Sequence, residues 1–127
     1  MQQRKAHGMS NGNVNEWAKV RRGAYDFFKL HLKKENLAED QDLAADKQKL
    51  HSFMEEYSEE LHTMMSNEEQ ETWSLVQRTD GWTAAEKLMS SRFVRNNYAN
   101  FATVSTQILL IHRSGECLVT EHSYQHN

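Results

Sequence analysis

The chain has 127 residues, enough for one domain, but only 38% are apolar against 26% charged, and mean hydropathy is −0.85. Its core is therefore thin, its longest aliphatic run (Ile108, Leu109, Leu110, Ile111) falls far short of a membrane span, and a net charge of −3 exerts no general pull toward nucleic acid. A single cysteine, Cys117, excludes an internal disulfide, so a reducing cytoplasm is the expected setting.

Charge is sorted along the chain. Residues 1–36 carry eight Lys/Arg against three acids, a net of +5, and residues 37–72 carry two against eleven, a net of −9. Two helices that fold back with opposed charge would explain this order. There is no proline, and there are only five glycines, so the strongest breakers of regular structure are scarce.

Residues 1–12 are expected to be a flexible polar tail, without the apolar segment of a secretory signal. A single helical domain, 13–127, should follow. Asn13 and Glu16 make a capping-box-like start to a first helix over about 14–34. Trp17, Val20, Ala24, Phe27, Phe28 and His31 recur at three and four along it. A polar connection over 35–40 leads to Asp40 or Asp42, either of which can cap a second helix, about 41–65. Leu43, Leu50, Met54, Tyr57 and Leu61 form its apolar stripe, with Glu55, Glu56, Glu59 and Glu60 opposite.

Ser66, Asn67, Glu68 and Glu69 spell a capping box for a third helix, about 67–79, which would turn Trp73 and Val76 inward. Gly81 can end it, and Thr83 with Glu86 opens a fourth. Continuity and the lack of a breaker favour helix over about 84–111, which gives a mainly α, four-helix bundle-like fold. The alternative is an α+β fold with a C-terminal β-hairpin over about 103–112 and 117–122. The β-branched content of 103–111 supports that alternative. A two-residue loop at Ser114 and Gly115 would then set His112 opposite Cys117.

No motif specifies a chemistry. Glu59 and His62 form one Glu-x-x-His, where a di-iron bundle needs two copies and further glutamates. With His51 and Glu55 they line a polar ridge that could hold a divalent metal, but an ordinary solvated helix face accounts for it better. A Cys117 thiolate beside His112 would be a nucleophile, though no orienting group or oxyanion donor is evident. Phosphate-binding loops, dinucleotide fingerprints and nucleophile elbows are absent. No catalytic residue, metal ligand or cofactor is therefore assigned, and an enzyme is disfavoured. Met54, Met64, Met65, Met89 and Trp73 read as core, with Trp82, between two helices, as a staple or an exposed anchor.

What remains is a small regulatory or adaptor module that binds another protein. Basic residues of the first helix (Arg21, Arg22, Lys29, Lys33), acidic ones of the second (Glu55, Glu56, Glu59, Glu60) and Trp82 are the candidate contacts. Nucleic-acid binding through the basic first helix, whose cations interleave with aromatics, is the alternative. A homo-oligomer, most simply a dimer, is expected from the thin core.

Overall fold

The computed structural model describes residues 6–7, 18–39, 43–69, 91–95 and 102–125. Helix α1 spans Ala18–Glu39, and a single 3-10 turn at Leu43–Ala45 leads into helix α2, Lys47–Met65. Strands β1, Ser105–Ile111, and β2, Cys117–Ser123, form an antiparallel hairpin. The architecture is α+β and not a four-helix bundle.

Helix α1 runs five residues past the expected end at 34 because nothing in Glu35, Asn36, Leu37, Ala38, Glu39 stops it. Ala38 then packs on the core, which rewards the extra turn. Asp46 caps α2 in place of Asp40 or Asp42: its carboxylate accepts from the backbone N–H groups of Gln48 and Lys49 at 3.0 and 3.3 Å. Leu43 is buried just before the cap, so the chain is pinned there and the helix begins later.

The other end of α2 explains why the capping box of the expected third helix misled. Ser66 closes α2 rather than opening a new helix. Its N–H reaches the carbonyls of His62 and Thr63, and its hydroxyl donates to the His62 carbonyl at 2.7 Å. Residues 67–69 are not helical; Asn67 instead accepts from the Glu69 N–H in a local turn. The rest of the expected third helix, with Trp73 and Val76, and the opening of the fourth lie outside the described residues. The fourth helix's far end is wrong, since 105–111 is strand. Thr106, Ile108 and Leu110 alternate with Ser105, Gln107 and Leu109, and the pairing places the even positions toward α2.

The hairpin turn differs from the expected one by a residue. His112 N–H bonds to the Glu116 carbonyl, and Gly115 N–H bonds back to His112 at 2.9 Å. Arg113, Ser114 and Gly115 thus form a three-residue loop, with Gly115 at φ +98° in the left-handed region that glycine tolerates. Ile111, not His112, pairs with Cys117. The shift puts Cys117 on the exposed face and removes the proposed thiol–imidazole opposition.

Helix α2 is the shared packing element. Leu43, Leu50 and Met54 form a buried cluster, with Ala38 of α1, Phe53, and Leu110 and Leu118 of the hairpin against it. Residues 91–95 latch the far end: Phe93 N–H donates to the Asn67 carbonyl at 2.9 Å, and its ring meets Tyr124 edge-on at 4.7 Å. Among the described residues no helix is long and apolar enough to cross a membrane.

Candidate functional site

A helix advances about 100° per residue, so Arg21, Arg22, Lys29 and Lys33 share an arc of about 120° on α1, with Tyr25, Leu32 and Asn36 among them. All seven are exposed, Tyr25 by 62%. The Lys29 ammonium lies 5.3 Å from the centre of the Tyr25 ring. Arg22 reaches Glu69 at 3.5 Å. Between Arg21 and Asn36 no acid falls on this arc. Asp26 is turned aside to Arg92 at 2.6 Å, and Glu35 lies 3.6 Å from His31. The sequence thus builds a basic ridge with an aromatic and an aliphatic side chain inset.

The inner side of α1 is different in kind. Lys34, 3% exposed, reaches across to Glu60 at 3.0 Å and Glu56 at 3.6 Å, with the Phe53 ring 5.6 Å from its ammonium. One turn away, His31 Nδ1 and the Tyr57 hydroxyl are 2.7 Å apart. Burial, helped by Glu35 and Glu60, pushes the Tyr57 phenol up to about 12, so it stays protonated beside His31. The opposed charge of the two segments therefore meets through Lys34, a cation not among the four on the ridge.

The acidic residues of α2 divide by face. Glu56 and Glu60 answer Lys34. Glu55 pairs with His51 one turn back at 2.7 Å, and Glu59 faces His122 at 3.7 Å. His62, one turn beyond Glu59, does not lie on the solvated polar ridge with His51 and Glu55: it is 2% exposed and turned into the hairpin. Among the described residues no three His, Cys, Asp or Glu side chains converge to hold a metal. Trp82 lies outside the described residues.

A polar joint between α2 and the hairpin is what sequence reasoning missed. Thr120 Oγ1 of β2 is 2.5 Å from Ser58 Oγ and 2.7 Å from His62 Nε2, and the His62 and His122 rings stack at 3.6 Å. Among the described residues no hydrogen-bond partner reaches the buried His62 Nδ1. Burial lowers the His62 pKa below the ordinary 6.5 and His122 lowers it further, while Glu59 opposes both. The available signal was positional. Ser58 and His62 sit one turn apart at the edge of the α2 stripe, and Thr120 and His122 alternate on one face of β2. The Thr120 hydroxyl bonds to both the Ser58 hydroxyl and the His62 imidazole, so the joint orients helix on hairpin.

Fold and site together define an α+β module: a central helix held between a second helix and a hairpin, with a cationic ridge left facing solvent. Its sequence matches the Transport and Golgi organisation 2 family over residues 1–126, and the chain belongs to that family. Comparison with curated proteins and with solved structures finds no match.

Proposed function

We propose that the chain is a protein-binding module, a small adaptor or regulator, that docks an acidic segment of a partner protein on the outer ridge of α1. The observation that carries this reading is the placement of Arg21, Arg22, Lys29 and Lys33 on one exposed arc of α1 without an interleaved acid of that helix, while the buried Lys34 pairs with Glu56 and Glu60 of α2. Tyr25 and Leu32 add apolar contact that a purely ionic surface lacks, and aromatics with Arg are the residues most enriched in protein interfaces. Glu55 and Glu59, exposed on α2, give the module charge of opposite sign away from the ridge, which favours one orientation of the partner. The family's description, transport and Golgi organisation, is consistent with an assembly role. The module works in the cytoplasm, a setting in accord with its lone, exposed Cys117.

Fluorescence anisotropy with a labelled acidic, leucine-containing peptide tests this, with duplex DNA of similar length as competitor. The native chain binds the peptide and releases it as salt rises. The triple variant Arg21→Glu, Lys29→Glu, Lys33→Glu, whose positions are exposed and whose circular dichroism stays native, binds at least about tenfold more weakly. Unchanged peptide affinity in that variant rejects the ridge as the docking site. Tighter binding of the DNA than of the peptide gives the ridge to nucleic acid instead.

A further inference from the structure

Helix α2 covers only one face of the hairpin. The other face carries the rungs Ser105 with Ser123, Gln107 with Glu121, Leu109 with Val119, and Ile111 with Cys117, and Arg113 follows in the turn. Leu109, Ile111 and Val119 are 58%, 68% and 66% exposed. Two adjacent apolar rungs on an open sheet face stand out in a chain so short of apolar residues.

We infer that this face is the contact between two copies of the chain, packed sheet on sheet about a two-fold axis that runs across the strands. Charge selects both the occupant and the orientation. Arg113 lies in the turn, two residues past Ile111, and Glu121 lies one rung beyond the apolar pair at the open end. An axis along the strands would set the two Arg113 residues side by side at one end of the contact and the two Glu121 residues side by side at the other. The axis across them sets turn end over open end, so each Arg113 comes over the other copy's Gln107 and Glu121 rung. It also lays Ile111 on the other copy's Leu109, and Cys117 on the other copy's Val119. Such a contact is isologous and closes on itself, which limits assembly to a dimer. Facing sheets pack about 10 Å apart, within reach of these side chains. The α1 ridge is not part of this contact, so the dimer stands or falls independently of the proposed partner.

Sedimentation equilibrium over a rising concentration series, paired with alkylation of Cys117, tests the inference. The chain has no other cysteine, so the reaction reports this face alone. The mass is expected to rise from 14.9 kDa to twice that value and stop, with Cys117 alkylation slowing as it does. Leu109→Glu keeps the mass at that of one chain and Cys117 fast. Arg113→Glu alone weakens the dimer, and Arg113→Glu with Glu121→Arg restores it, because the pair is exchanged across the axis. A one-chain mass at every concentration overturns the inference. So do assemblies larger than two, Cys117 that is slow even in dilute monomer, or a double variant no tighter than the single one.

Discussion

Lys34 and His62 show how far burial changes what a side chain does. Lys34 belongs to the basic segment by composition, yet at 3% exposure it serves as an internal tie to Glu60 and Glu56. His62 belongs to an acidic polar ridge by spacing, yet it is the buried partner of Thr120 and stacks on His122. Its lowered pKa has a definite consequence for stability. Between the unfolded value of 6.5 and its lower folded value, the unfolded chain binds the proton that the folded chain resists. Stability therefore falls as pH drops below about 6.5, as the protonated unfolded state gains weight. Charged Glu59 moderates the loss, and the neighbouring His122 ring adds to it. Urea midpoints measured from neutral to acidic pH should decline for the native chain and decline less for His62→Gln. Equal slopes in the two proteins would remove His62 from the account.

Helix α2 decides the stability of the elements around it, because the core cluster, the α1 tie and the hairpin joint all sit on its surface. Leu50→Ala should lower unfolding free energy by about 2–5 kcal/mol, the range for deleting a buried leucine side chain. Leu32→Ala, on the exposed ridge, should stay within about 0.5 kcal/mol. Denaturant curves of the two variants check this, and similar losses in both would mean that the core is not where the structure places it. Much of α2 was legible in the sequence. Leu50, Met54, Tyr57 and Leu61 recur at three and four, a pattern only a helix buries on one side, and all four are buried. The hairpin was legible only as an alternative. Val104, Thr106 and Ile108 favour strand, but no proline or glycine separates them from the preceding capped segment, so local signals conflicted. Pairing with β2 across the Gly115 turn settles the conflict, and that is a tertiary contact no local window contains. The Ser66 capping box failed for a related reason: the same serine that can start a helix can also close one, and Asn67 drew the chain into a turn. The polar joint escaped because its members are separated by 58 residues or more, as between His62 and Thr120.

At the scale of the whole molecule, charge segregation has two outcomes that composition alone merges. Part of it is spent inside, where Lys34 meets Glu56 and Glu60, and part is left outside as the α1 ridge. Hairpin and ridge occupy different elements, so self-association and partner docking need not compete. The central claim is that partner contact belongs to that outer arc of α1. Amide chemical shifts of the isotope-labelled chain, recorded as the acidic peptide is added, test it most directly. Shifts are expected to concentrate between Arg21 and Asn36, with the hairpin amides from Ser105 to Ser123 unmoved. Shifts concentrated in the hairpin or on the acidic face of α2, with the α1 ridge silent, would contradict it.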